Sequence, residues 1–203
     1  MGNLVLNGST SGSITVAPTA VAGSNTLTLP AKTGDIITSA DSGTVSQTML
    51  ASGVVGQGPS FRAYGSANQS SLASNSTTKI QLNTKTGSGG WDTASCFDAT
   101  TNYRFTPNVA GYYSCSCAAA LTGGANNLSN HKLYFYKNGS IYSTPWTGSF
   151  STGLISINGS DVIYCDGSTD YIEFYVSSAS GGTYTITAGT TLTYATATLI
   201  RSA

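Results

Sequence analysis

A chain of 203 residues has room for one ordinary domain with an appendage or two small domains, not two large ones. Its formal charge is zero with only 8% of residues charged, so no electrostatic surface is available to recruit nucleic acid or an anionic membrane, and both are set aside as partners. Gly, Ser, Thr and Tyr abound without a helix-period apolar stripe, which selects an all-β chain of short strands joined by turns.

The opening Met1-Gly2-Asn3-Leu4-Val5-Leu6 has neither the basic start nor the apolar core of a signal peptide. Leu6 stands where a myristoylation signal needs Ser or Thr, and no apolar run approaches the length of a membrane span. The expectation is a chain neither exported by the secretory route nor inserted into a membrane.

Residues 1–58 lack Phe, Tyr, Trp and Cys and carry charge only at Lys32, Asp35 and Asp41, whereas every aromatic lies beyond residue 60. Within 1–37, apolar residues recur in short alternating pairs: Leu4 and Leu6, Ile14 and Val16, Leu27 and Leu29, then Ile36-Ile37. Gly8, Gly12, Pro18, Gly23, Pro30 and Gly34 cut these into strand fragments too short to bury a core. Such an extended arm must borrow strand partners, from copies of itself or from another protein. Residues 38–58, rich in Ser, Thr and Gly, have the composition of a linker or stalk.

The succession Thr10-Ser11-Gly12-Ser13-Ile14-Thr15-Val16-Ala17-Pro18 and Val21-Ala22-Gly23-Ser24-Asn25-Thr26-Leu27-Thr28-Leu29-Pro30 resembles the N-terminal modules of phage virion fibre and decoration proteins. The resemblance implies a virion-surface location. It makes Leu4, Leu6, Ile14, Val16, Leu27 and Leu29 the contacts through which residues 1–37 attach to other virion proteins, capsid or tail.

From Pro59 onward the spacing of apolar runs and turns predicts strands over 60–65, 78–83, 95–98, 103–106, 111–120, 132–137, 140–143, 153–157, 161–165, 170–177, 183–188 and 190–200. Asn138-Gly139 and Asn158-Gly159 each read as a hairpin turn between apolar runs, because both residue types accept positive φ. Segments 66–77, 84–94 and 121–130 are polar and read as exposed loops.

The stretch from Phe97 to Cys117 reads as strand, Pro-marked turn, strand. Phe97, Phe105, Tyr113, Cys115 and Cys117 share odd positions, and Pro107 and Gly111 bracket the turn. With Asp92 ahead of it, this stretch resembles the central motif of the C1q/TNF-like jelly-roll family, with one extra residue between Phe97 and Phe105 and with Cys115 and Cys117 where aromatics are usual. Pro59-Ser60-Phe61-Arg62-Ala63-Tyr64 resembles that family's opening strand. Leu133-Tyr134-Phe135-Tyr136-Lys137-Asn138-Gly139 resembles its internal hairpin, and Asp170-Tyr171-Ile172-Glu173-Phe174-Tyr175-Val176 its late core strand. Thr169 and Ala197 stand near positions where the family has Gly. The likeness covers 59–203 and implies a jelly-roll β-sandwich head that forms a homotrimer. Its core would hold Phe61, Phe97, Phe105, Tyr113, Phe174 and Tyr194, and its turns Asp98, Pro107, Gly111, Asn138 and Gly139.

Catalytic chemistry is poorly provided for. His131 is the single histidine and no Gly-x-Ser-x-Gly accompanies it, so it is expected at a surface or loop end rather than in a triad. Asp92, Asp98, Asp161, Asp166, Asp170 and Glu173 are the acids available for glycoside cleavage, with Asp98 and Asp170 expected to cap turns. Asp161 and Asp166 near Gly167 offer oxygen ligands for calcium but lack the dense acidic loop of an EF-hand, and calcium binding is left open. Cys96, Cys115, Cys117 and Cys165 read as buried free thiols, with a Cys96–Cys165 bridge left open. Neither a metal nor a cofactor is expected. Trp91 and Trp146 read as core or interface aromatics, and as candidate ligand contacts if they stack on sugar rings. The reading that follows is a non-enzymatic phage virion structural protein of the capsid decoration or cement type. A receptor-binding tail-fibre tip recognising host-surface glycan is the alternative, and a glycan-cleaving enzyme the second.

Overall fold

The structure, a computed structural model, describes residues 4–7, 10–16, 58–123, 129–149, 153–179 and 181–203. The chain divides into two units, Met1–Ala51 and Ser52–Ala203. In the first, β1 (Leu4–Asn7) and β2 (Ser13–Val16) form an antiparallel hairpin that sets Leu4 opposite Val16 and Leu6 opposite Ile14. Val5 and Leu6 are half exposed, at 51% and 54%. Leu27, Leu29, the Val21–Pro30 motif and residues 38–57 of the linker segment lie outside the described residues.

The second unit is built from β3 (Ser60–Tyr64), β4 (Gln69–Ala73), β5 (Thr78–Lys79), β6 (Trp91–Asp92), β7 (Phe97–Asp98), β8 (Arg104–Phe105), β9 (Gly111–Gly123), β10 (Ser129–Lys137), β11 (Ser140–Gly148), β12 (Ile155–Cys165), β13 (Ile172–Ala179), β14 (Thr183–Thr187) and β15 (Tyr194–Ser202). A 3-10 turn at Gly87–Gly89 is the one helical element among the described residues. Sheet I has six strands in the order β11-β10-β13-β8-β7, with β5 also on β13. Sheet II has seven in the order β4-β14-β9-β15-β3-β6, with β12 on the other side of β9. Every strand pair is antiparallel. The head is an all-β jelly-roll sandwich.

Period-two patterning builds it. In β9 the residues Gly111, Tyr113, Cys115, Cys117, Ala119 and Leu121 turn inward, and β12 matches them with Ile155, Ile157, Ile163 and Cys165. Phe61 of sheet II reaches across to sheet I, its ring centroid 4.4 Å from Phe97, 4.8 Å from Phe105 and 6.4 Å from Phe174. Tyr113 meets Phe105 edge-on at 5.3 Å, and its hydroxyl donates to the Val109 carbonyl at 2.6 Å. Cys96, Cys115, Cys117 and Cys165 are all free and buried.

Several boundaries differ from the sequence reading. The runs 153–157 and 161–165 belong to one strand, and Asn158-Gly159 is no turn: its two residues pair with Ala118 and Cys117 in an unbroken ladder. Gly159 is there for contact, since a Cβ on it would lie 2.6 Å from Cβ of Pro145. Asn138 and Gly139 do turn the chain, at φ 53° and 77°, between β10 and β11. Segments 66–77 and 84–94 are not loops throughout, because they contain β4 and β6. Only Thr78–Lys79 of 78–83 is strand, although Ile80 N–H still bonds the Phe174 carbonyl. Of 121–130, residues 124–128 lie outside the described set.

Candidate functional site

The acids of the head are engaged in structure. Asp98 accepts from the N–H groups of Thr100, Thr101 and Asn102. The Thr101 and Thr100 bonds hold its carboxyl well below the usual range. Asp166 does the same for the turn at Gly167, accepting the Thr169 hydroxyl and the N–H groups of Ser168, Thr169 and Asp170, which likewise depresses it. Asp92 pairs with Lys85 at 2.7 Å, Glu173 with Lys79 at 2.5 Å and Asp170 with Lys137 at 2.7 Å. Burial opposes ionisation of Asp170, yet its bonds from Lys137 and Asn138 prevail and its pKa is lowered. Asp161 accepts the N–H of its neighbour Val162. Among the described residues no three His, Cys, Asp or Glu side chains gather as metal ligands would.

His131 is not at the surface. β10 begins at Ser129, three residues earlier than the sequence suggests, and its alternation carries His131 inward with Leu133 and Phe135. Its ring lies 6.3 Å from that of Trp146, which is half-buried against the core. Trp91 stands on the edge strand β6, 46% exposed, its indole N–H bonded to Ser60 Oγ at 3.2 Å. The two tryptophans are therefore on different sheets and form no common site. Phe61, Phe97, Phe105, Tyr113 and Phe174 are buried in the core. Tyr194, expected with them, is half-buried on the outer face of sheet II, its ring 4.4 Å from the Arg62 guanidinium carbon. Pro107 is buried, and Gly111 opens β9 where a Cβ would come within 2.3 Å of the Arg201 carbonyl oxygen. Burial of Cys165 pushes its thiol up to about 12, and Cys115 and Cys117 are raised for the same reason, so none is a nucleophile at neutral pH.

The outer face of sheet II is chemically divided. Across β15, β9 and β12 the cross-strand rows run Thr198–Ser114–Val162, Thr196–Ser116–Ser160 and Tyr194–Ala118–Asn158. Beyond the first row, Tyr112 lies opposite Tyr164. At that end Tyr112, Val162, Tyr164 and Ile200 stand exposed, with Tyr112 and Tyr164 in ring contact. At the other end β15, β9 and β12 present hydroxyl and amide groups and the Tyr194 phenol, with Arg62 and Tyr64 of β3 beside it. Exposed apolar residues recur on β11, the edge of sheet I, at Ile141 and Tyr142. Sequence reasoning passed over these residues, although their signal was present. Tyr112, Val162 and Tyr164 are apolar at even positions of strands whose inward set is odd, while Ile200 sits at a register shift in β15.

No protein-family model matches the sequence, and no curated protein sequence is similar to it. Solved structures of similar shape are jelly-roll heads of the C1q and TNF type. The globular domain of zebrafish complement 1qA protein is 16% identical over 71% of this chain and 99% of its own, with a TM-score of 0.43. Murine APRIL is 10% identical over 70% and 98%, with a TM-score of 0.48. Eiger TNF from S. frugiperda is 9% identical over 72% and 96%, again at 0.48.

Proposed function

We propose that this protein is a non-enzymatic structural component of a phage virion surface, a capsid decoration or cement-type protein whose jelly-roll head forms a homotrimer and whose N-terminal arm attaches it to other virion proteins. The observation that carries the reading is the apolar end of the outer sheet II face. On a head with few charged residues, Tyr112, Val162, Tyr164 and Ile200 form an exposed aromatic and aliphatic group beside Arg201, the composition of an interface centre rather than of a solvated surface. Ile141 and Tyr142, on a different strand edge, supply a second apolar patch. A contact between two different patches of one chain is heterologous, and a threefold rotation closes it into a trimer.

The arm supports the attachment half of the reading. A two-stranded ribbon of four residue pairs is not stable in water by itself. Short strands of alternating aliphatic residues suit strand addition to a neighbour. Five of the six carboxylates of the head are committed to a turn or an ion pair, Asp161 being the exception, and this supports a passive role over glycan cleavage.

Gold-labelled antibody against the head, imaged on intact particles, tests the location. Regular label over the capsid is expected, lost from particles grown with a chain lacking residues 2–37. Label at the tail tip moves the protein to the fibre class, and unlabelled particles refute the virion role.

A further inference from the structure

Most charges of the head are fixed within the chain. Lys79, Lys85 and Lys137 pair with Glu173, Asp92 and Asp170. Asp98 and Asp166 hold turns, and Arg62 and Arg104 lie over the rings of Tyr194 and Tyr171. Of the head's acids, lysines and arginines this leaves Asp161, Lys132 and Arg201. Among the described residues, Asp161 accepts one hydrogen bond, from the N–H of its own neighbour Val162. Lys132 and Arg201 have no ion pair, side-chain hydrogen bond or ring contact there.

Position separates the three. Lys132 alternates with the inward Leu133 on β10 and faces out from sheet I, opposite Thr147 and Ser177. Arg201 lies opposite Tyr112 on the outer face of sheet II, exposed and next to the exposed Ile200. Asp161 pairs with the buried Cys115 and shares its inward phase. It is only half-buried there, because β12 bonds to β9 alone and its other side forms the rim of the sandwich. At that rim β12 meets the edge strand β11, Gly159 against Pro145, and β11 carries the exposed Ile141 and Tyr142. Asp161 and Arg201 do not meet within one chain. They stand on opposite faces of sheet II, two strand spacings and three residues apart, on the order of 14 Å.

We propose that in the associated heads Asp161 of one copy pairs with Arg201 of the next, and that this pair selects rim-to-face contact. The inference rests on the reading that the heads associate through the outer face of sheet II. Each of the two surfaces carries exposed aromatic and aliphatic side chains and one uncommitted charge, and the charges are opposite. Asp161 accompanies Ile141 and Tyr142 at the rim, and Arg201 accompanies Tyr112 and Ile200 on the face. Rim-to-face contact brings the two charges together at every interface of a closed ring. Face-to-face contact, the isologous alternative, would crowd two Arg201 side chains and leave both Asp161 carboxylates without a cation, a like-charge juxtaposition that costs affinity. A carboxylate with one local bond still has acceptor sites for the forked N–H donors of a guanidinium. Lys132, on the opposite sheet, takes no part.

The test is sedimentation equilibrium of the full chain. Asp161→Arg and Arg201→Asp should each weaken trimer formation by about tenfold or more, and the chain carrying both should recover it, because the pair re-forms with its signs exchanged. Lys132→Asp, the same change of charge as Arg201→Asp, should leave association unchanged. Where a reversal lowers β content by circular dichroism, Asp161→Asn and Arg201→Gln take its place: each should weaken association, and both together no more than the stronger alone. A wild-type trimer whose double reversal stays dissociated overturns the pairing and leaves the sheet II reading standing. So do a single reversal that associates like the wild type, strictly additive losses in the neutral variants, and Lys132→Asp acting as strongly as Arg201→Asp. A monomeric wild-type chain overturns both.

Discussion

Tyr112 and Tyr164 lie directly opposite each other on β9 and β12 with ring centroids 5.4 Å apart, both facing away from the core and 44% and 39% exposed. A neighbouring pair of this kind on a nearly uncharged sheet is suited to burial in a partner. Replacing both by Ser should change the stability of the isolated chain by no more than about 0.5 kcal/mol, the range for surface substitutions. It should weaken self-association strongly. Denaturant titration at low concentration reads the first effect and light scattering across concentrations the second. A double variant that unfolds would show that the pair serves the fold instead.

Phe105 joins the sheets through contacts with Phe61 and Tyr113 and is fully buried. Phe105→Ala should cost roughly 3–5 kcal/mol as a core truncation. A midpoint shift worth less than about 1 kcal/mol in urea unfolding would mean that the site collapses or that the ring is not central to the packing.

At Gly159 the strand passes against Pro145, and an added Cβ would fall 2.6 Å from the proline ring. Gly159→Val should therefore destabilise the head by about 1–3 kcal/mol, the range for overpacking, although valine is the better strand former. Had Asn158-Gly159 been a hairpin turn, the same change would instead free β12 from β9. Amide exchange distinguishes the two, with uniform weakening expected along Ile155–Cys165 rather than a break at residue 158.

Acid should weaken the head through its capping carboxylates. Asp98 and Asp166 are both depressed in the folded chain by the hydrogen bonds they accept. A depressed folded pKa gives stability that is present above the unfolded value of about 3.9 and lost as pH falls below it. The unfolding midpoint should thus be level from about pH 7 to pH 5 and fall below about pH 4. Asp98→Asn should flatten part of that fall. An unchanged acid limb in Asp98→Asn together with Asp166→Asn would exclude these turns as its origin.

Much of the head was legible because burial in a two-layer β-sandwich leaves a period-two imprint. Phe97, Phe105, Tyr113, Cys115 and Cys117 keep one phase, and the structure keeps them inside. The phase at Asn158-Gly159 could also have been read. Ile155, Ile157, Ile163 and Cys165 are all odd, and a two-residue hairpin would have reversed that phase to favour Val162 and Tyr164. Both sets are apolar, so turn chemistry outweighed alternation in the reading, while the tertiary cause, Pro145 against Gly159, is not a local signal. His131 was misplaced because a polar neighbourhood hid an early strand start, and burial of a histidine depends on register. The polar rows on the outer face of sheet II are hidden for a similar reason. Tyr194, Ala118 and Asn158 are far apart in sequence, and only the pairing of three strands makes them a row.

Self-association of the head through the Tyr112 face is tested most directly by sedimentation equilibrium of the full chain at micromolar concentration, beside a Val162→Glu, Tyr164→Glu variant of equal β content by circular dichroism. The intact chain is expected at three times its 20.7 kDa mass, and the variant at the mass of a single chain. A wild-type chain that sediments as a monomer, or a variant that remains trimeric, would contradict it.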